Sequence, residues 1–186
     1  MNKQQFSQIK WAFTALITLI IWSMLIWQYL HDGVPIHYLF RNPDLPAISN
    51  WWGGFILPVL SWVLVGRIQK RILKLSDLQS ARHCKITLIN FVISLIYGAL
   101  LSLAFIYGYE EVSSVMFPGI LVFAVFFKVY REEFLLGFIL SMSVTFGAVL
   151  STLFGSIIAS ISVVVYFLVR FIWSKVQNIT SRSRVT

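Results

Sequence analysis

The amino-acid sequence predicts an all-α integral membrane protein with six transmembrane helices and both termini in the cytoplasm. Three observations lead to this fold class. The chain of 186 residues is 58% hydrophobic and only 12% charged, whereas soluble domains contain about 25% charged residues. Its apolar residues form long uncharged blocks of the kind that cross a bilayer. Its basic residues fall in alternate connections between those blocks, as expected from the positive-inside rule.

The spans are predicted at 11–30, 51–66, 86–107, 112–127, 134–150 and 156–173. The first is uncharged over a length that covers about 30 Å as a helix. It is too long for the apolar part of a cleaved signal peptide, and no small-residue cleavage site follows it. The second span is short and contains Pro58, so we expect a kink or a partly unwound outer end.

The number of spans depends on the stretch 134–169, which contains no charged residue. As one helix it would be about 54 Å long, and ordinary tilt does not absorb that excess. A helical hairpin with a turn at 151–155, where serine, threonine and glycine occur, divides it into two spans. A single long helix, giving five spans in total, is the alternative.

The distribution of charge favours six spans. With the N-terminus inside, every lysine and arginine except Arg41 falls on the inner side, and the outer side holds Asp32, Asp44, Glu110 and Glu111. Five spans would place the basic C-terminal tail outside, against the positive-inside rule. We therefore expect a multi-pass protein of the bacterial inner membrane.

Small and polar residues mark one face on each of two predicted spans. In the fifth span they are Gly137, Ser141 and Thr145, which recur at every fourth position. In the third they are Asn90, Ser94, Tyr97 and Gly98, which share a face at 100° per residue. Small residues allow helices to approach closely in lipid. These faces predict helix packing, and a polar lining of a pathway is the alternative.

The outer loop 31–50 contains the only candidate metal ligands that we identify, His31, Asp32 and His37. Imidazole and carboxylate groups bind divalent transition metals, but their spacing matches no established signature. Polar residues at the membrane interface explain them equally well. The single cysteine, Cys84, excludes an intramolecular disulfide and a cysteine-based zinc site. The sequence contains no motif for a cofactor.

Two charged segments are expected on the inner side. Glu132 and Glu133 follow Arg131 and open the fifth span, where a helix dipole stabilises acids; a proton or cation relay is the alternative. The 67–85 loop holds six basic residues and one acid, and we expect the second helix to continue there as an amphipathic helix on anionic lipid. Topology accounts for the net charge of +8, so no nucleic-acid partner is predicted.

These features favour a small transporter or channel, because the second and fourth spans are short and contain proline and glycine. The alternative is a non-catalytic accessory or assembly subunit, either as a homo-oligomer or with a membrane partner subunit. It is favoured by the absence of an ionisable residue deep in any predicted span, since proton-coupled transport usually needs one. A membrane enzyme built on His31, Asp32 and His37 is the least favoured class.

Overall fold

A computed structural model describes residues 3–31, 33–38, 47–109, 111–112, 114–116, 119–120, 122 and 129–182. The described part of the chain is mostly helical. Its elements in chain order are α1 (Lys3–His31), β1 (Ile36–Tyr38), β2 (Ala47–Ser49), a 3-10 turn (Asn50–Trp52), α2 (Gly53–Ile72), α3 (Asp77–Ile106), α4 (Glu132–Phe146) and α5 (Ala148–Arg182). The described residues of the predicted span 112–127 are helical, and the rest of that span lies outside the described residues.

Four helices in the described residues are long and apolar enough to cross a membrane. They are Lys3–His31, Asn50–Ile72, Asp77–Ile106 and Ala148–Phe171. The helical membrane-protein class predicted from composition is therefore supported. One short antiparallel pair of strands departs from a purely helical fold: β1 pairs with β2 in the register Ile36↔Ser49, His37↔Ile48 and Tyr38↔Ala47.

The assembly of helices has two ends, and each is named after the type of residue found there. The basic end comprises the start of α1, the end of α2 and the starts of α3 and α4. There Phe6 packs with Ile68 and Ile72, and Arg71 lies beside Thr87. The aromatic end comprises the end of α1, the start of α2, the ends of α3 and α4 and the start of α5. There Trp22 contacts Trp51 and Phe105 contacts Phe146, with ring centroids 6.2 and 4.6 Å apart.

Helix α4 lies at the centre of the described structure. Its side chains Leu136, Phe138, Ile139 and Met142 are each at most 2% exposed. The outward faces of α1, α3 and α5 instead expose large apolar side chains, for example Leu19, Leu88 and Phe167. Exposed apolar faces around a buried centre are expected of helices that contact lipid tails.

The stretch 134–169 forms two helices that fold back on each other, as predicted in preference to one long helix. Ile139 of α4 packs into the space at Gly155 of α5, where a β-carbon would lie 2.7 Å from Ile139 Cγ1. Tyr130 and Tyr166 also meet, with ring centroids 5.5 Å apart. Because α4 has only 15 residues, it is about 22 Å long, and it is not among the four described helices that are long enough to cross a membrane. The predicted fifth span is therefore a helix, but its passage across the membrane stays a prediction.

The predicted turn at 151–155 is wrong, because the chain reverses at Gly147. Gly147 has φ 75°, a conformation that glycine adopts without steric cost. Ser151 and Thr152 continue α5 instead. A serine hydroxyl within a helix can bond to a carbonyl one turn earlier, as Ser156 Oγ does to Thr152 O at 2.7 Å, so these residue types do not by themselves mark a turn.

The boundary between α2 and α3 also differs from the prediction. Helix α2 runs to Ile72 and α3 begins at Asp77, so only residues 73–76 of the 67–85 segment are outside a helix. The second helix continues past Arg67 as expected, but its apolar residues Ile68 and Ile72 are buried against Phe6 of α1. Apolar content predicts only the part of a helix that is suited to contact with lipid. Helices α2 and α3 both extend beyond their apolar parts.

Pro58 lies inside α2 without ending it. Proline has no N–H, so the carbonyl of Gly54, four residues earlier, loses its usual helical donor. The Trp22 indole Nε1 of α1 donates to that carbonyl at 3.2 Å. A β-carbon at Gly54 would lie 3.2 Å from both Trp22 Cε2 and Leu25 Cδ1. Gly54 therefore leaves space for the indole that compensates for Pro58.

Candidate functional site

The predicted metal ligands are described only in part. His31 ends α1, its ring lies 4.7 Å from the Trp27 ring, and its Nδ1 lies 2.9 Å from the Trp27 carbonyl oxygen. Asp32 lies outside the described residues, and for His37 the structure describes the strand backbone alone. Among the described residues, no three histidine, cysteine or acidic side chains are close enough to hold a metal ion. Metal binding by this loop stays a prediction.

The two predicted small-residue faces meet each other between α3 and α4. Ser94 is fully buried, and a β-carbon at Gly137 would overlap its Oγ and lie 3.0 Å from the Leu95 backbone nitrogen. In the reverse direction, a β-carbon at Gly98 would overlap Ser141 Oγ. Each helix thus supplies a glycine that receives a serine of the other. We name these four residues the α3–α4 interlock.

The hydroxyls of the interlock bond within their own helices. Ser94 Oγ donates to Phe91 O at 2.9 Å, and Ser141 Oγ lies 3.0 Å from the carbonyl oxygens of Gly137 and Phe138. Close backbone packing and satisfied hydroxyls are what helix association in lipid uses. The contacts of these residues therefore fit packing better than a water-filled lining.

The other predicted residues of these faces are only partly buried. Tyr97 Oη donates to the Met116 carbonyl at 2.5 Å, and a β-carbon at Gly119 would lie 3.4 Å from that Oη. Tyr97 thus connects α3 to the segment that follows it. Asn90 and Thr145 are half-buried on α3 and α4.

A cluster of four charged side chains joins α2 to the start of α4 at the basic end. Arg71 Nη1 lies 2.6 Å from Glu132 Oε2, and Arg71 Nη2 lies 2.8 Å from Glu133 Oε2. Arg131 Nε lies 3.2 Å from Glu133 Oε1. Arg71 Nη2 also donates to Thr87 Oγ1 of α3 at 3.4 Å. Arg71, Arg131, Glu132 and Glu133 form the charge cluster.

Burial differs sharply within the charge cluster. The Glu133 side chain is 0% exposed, whereas those of Arg71, Arg131 and Glu132 are 23–28% exposed. A buried carboxylate is costly unless it is paired. Glu133 Oε2 accepts a hydrogen bond from Arg71, whereas Oε1 lies within ion-pair distance of Arg131 but accepts no hydrogen bond from any residue that the structure describes. The start of α4 adds the favourable field of its helix dipole. The two positive and two negative charges balance, so the cluster is electrically neutral.

The sequence analysis identified three members of the charge cluster and missed Arg71. Arg131, Glu132 and Glu133 are adjacent in sequence, whereas Arg71 lies about sixty residues earlier. The position of Arg71 relative to the apolar residues of α2 could have indicated that it faces inward. After its two buried N-terminal glycines, the buried residues of α2 are Leu57, Ser61, Leu64, Ile68 and Ile72, and Arg71 follows Ile68 by three positions. It therefore continues the inward-facing stripe of the helix.

Three buried hydroxyls are further polar groups in the interior. Ser61 of α2 and Ser151 and Ser162 of α5 are each 0% exposed, and no residue that the structure describes accepts or donates a hydrogen bond to their Oγ atoms. Ser151 lies one turn from Gly147 at the aromatic end, and Ser162 lies three turns farther along the helix. Polar groups thus occur at more than one depth.

In the part of the chain that the structure describes, the charge cluster supplies ion pairs and the interlock supplies close contacts between helices. Comparison with protein families, with curated proteins and with solved structures finds no match for this chain.

Proposed function

We propose that the protein is a small transporter or channel whose basic end is closed by the charge cluster. The observation that carries the proposal is the fully buried Glu133, held between Arg71 of α2 and Arg131. These groups join separate helices at one end of the helix assembly. Ionisable residues buried in a membrane protein commonly mark ion or substrate pathways.

The energetics of a buried ion pair support a closing contact. Desolvating such charges costs free energy, and apolar residues of similar size are often equally stabilising or better. Stability alone thus does not require the charge cluster. When such a contact opens, a charged side chain can bind water or an ion in place of its partner. An apolar side chain cannot. The buried hydroxyls of Ser61, Ser151 and Ser162 add polar groups in the interior to which the described residues offer no hydrogen bond.

Flux through reconstituted liposomes tests the proposal. We expect purified protein to pass at least one ion or small solute, with a faster rate in Glu132→Gln. That change removes one ion pair from the charge cluster and leaves the buried Glu133 paired. Lys70→Gln removes an exposed charge beside Arg71 and serves as the matched control, with an unchanged rate. Equal rates for both variants would refute a closing role of the cluster.

A non-catalytic accessory or assembly subunit is the second candidate. It is favoured by the α3–α4 interlock, which seals two helices together without space for a solute. In that case, the protein would show no flux for any solute screened and would copurify with a membrane partner subunit or as a homo-oligomer. That combination would exclude the transporter proposal.

The proposed topology has six passes, with the basic end in the cytoplasm of a bacterial inner membrane. Phe105 and Phe146 lie together at the aromatic end, whereas Arg131 belongs to the charge cluster at the basic end. The separation of these two ends supports a return pass between 107 and 131. The exposed Arg67, Lys70, Lys74, Arg82 and Lys85 support contact of the 67–85 segment with anionic lipid.

Cysteine labelling tests this topology. Cys84 is the only cysteine, so Cys84→Ser gives a background for single new thiols. In intact cells, a membrane-impermeant maleimide is expected to label Tyr109→Cys and not Ser76→Cys or Ser183→Cys. The latter two should react only after the membrane is permeabilised. Labelling of Ser183→Cys in intact cells would favour five passes.

A further inference from the structure

A trough on the outer surface of α5 has an apolar floor and a basic edge. Its volume is about 650 Å³, and its lining residues that the structure describes are Val163, Val164, Phe167, Leu168, Arg170, Phe171 and Ser174. Ligand sites in proteins usually measure about 300–1,000 Å³. The trough is therefore large enough for part of a lipid molecule.

The position of Arg170 places the basic edge of the trough at one depth in the membrane. One turn before Arg170, Tyr166 contacts Tyr130, and Tyr130 precedes Arg131 of the charge cluster. Arg170 therefore lies close to the level of the basic end. From there the apolar floor extends about 10 Å along the helix axis to Val163. This is the direction from a lipid headgroup towards its acyl chains.

The charged side chains that the structure describes on α5 at the trough are both basic. Arg170 is exposed, and Lys175 Nζ lies 5.6 Å from the centre of the Phe171 ring. The sequence from Phe134 to Thr186 contains no aspartate or glutamate, so α5 itself offers these cations no carboxylate. A guanidinium group binds phosphate oxygens through paired hydrogen bonds.

We propose that this trough binds an anionic phospholipid, with the phosphate on Arg170 and an acyl chain along Val163, Phe167 and Phe171. Lys175 contributes a second positive charge at the headgroup. The site is separate from the 67–85 segment, which lies on other helices, and it does not depend on whether the protein transports a solute.

Native mass spectrometry of the purified, delipidated protein tests the site. Phosphatidylglycerol and phosphatidylcholine would be titrated separately, and the dissociation constant of the first bound lipid measured. We expect tighter binding of phosphatidylglycerol, weakened about fivefold or more in Arg170→Gln, since one cation near a lipid surface contributes about 1 kcal/mol. Lys3→Gln removes an exposed cation from the basic end of α1 and should leave this affinity unchanged.

Two further experiments distinguish binding of a phospholipid in the trough from attraction of any anion to Arg170. Val163→Trp fills the trough without changing charge, so it should weaken phosphatidylglycerol binding if an acyl chain occupies the floor. Millimolar inorganic phosphate should not displace the lipid. The proposal would be overturned if Arg170→Gln and Lys3→Gln weakened binding equally, if Val163→Trp had no effect, or if phosphate displaced the lipid.

Discussion

Arg71→Gln is expected to destabilise the protein by at most about 3–5 kcal/mol, the cost of leaving a buried charge without any partner. The change removes the contacts of Arg71 with both Glu132 and Glu133. Glu133, which is 0% exposed, then keeps only Arg131 as a charged partner. The expected measurement is a lower free energy of unfolding in mixed detergent micelles under otherwise identical conditions.

Two comparisons isolate the ion pair from a general effect of charge. Lys70→Gln, on the neighbouring exposed position of α2, should change stability by less than about 0.5 kcal/mol. The double variant Arg71→Met with Glu133→Met removes the buried charge together with one of its two arginine partners. It should recover much of the stability, since apolar residues can replace a buried ion pair. Equal losses in Arg71→Gln and Lys70→Gln would contradict the assigned role of the charge cluster.

Gly137→Ala is expected to cost about 1–3 kcal/mol, the usual penalty of forcing extra atoms into a packed interior. The new β-carbon would overlap Ser94 Oγ and the Phe91 carbonyl oxygen and lie 3.0 Å from the Leu95 nitrogen. Two of these atoms belong to the backbone of α3, so the helices have to separate. Thermal unfolding in detergent, followed by circular dichroism, should show a lower midpoint.

Other glycines of the chain provide the controls. At Gly66 a β-carbon would come no closer than 3.5 Å, to the flexible end of Lys10. Gly66→Ala should therefore stabilise its helix by about 0.5–1 kcal/mol. At Gly98 the main obstacle is Ser141 Oγ, so adding Ser141→Gly should partly rescue Gly98→Ala. Ser94→Gly should not rescue Gly137→Ala, because the backbone contacts remain. Equal behaviour of Gly66→Ala and Gly137→Ala would rule out the interlock as a close contact.

Sequence reasoning located most apolar helical segments but not their ends. Ser76 and Asp77 are typical of a helix start, yet the basic residues Arg82 and Lys85 made this stretch resemble a loop. The reversal at Gly147 was missed for a different reason. Serine, threonine and glycine occur together at 151–155, but only the backbone conformation distinguishes a glycine that ends a helix from one that packs against Ile139, as Gly155 does.

The candidate site shows the same division between local and long-range information. The acidic start of α4 and its neighbour Arg131 were visible in sequence, whereas the contact of Arg71 with Glu133 spans two helices distant in the chain. The two small-residue faces were also predicted separately. That Ser94 enters the space at Gly137 depends on the rotation and depth of α3 relative to α4, which one-dimensional periodicity does not determine.

The bond from Trp22 to the Gly54 carbonyl has a consequence for assembly in the bilayer. In lipid, apolar contacts alone distinguish poorly between neighbouring alignments of two helices. Pro58 leaves one backbone acceptor of α2 without its intrahelical donor, and only one alignment of α1 brings the indole to it. The backbone acceptor that the proline leaves unpaired therefore selects one alignment of α1 and α2. The α1–α2 pair thus has a polar contact that selects its alignment without any residue of α4.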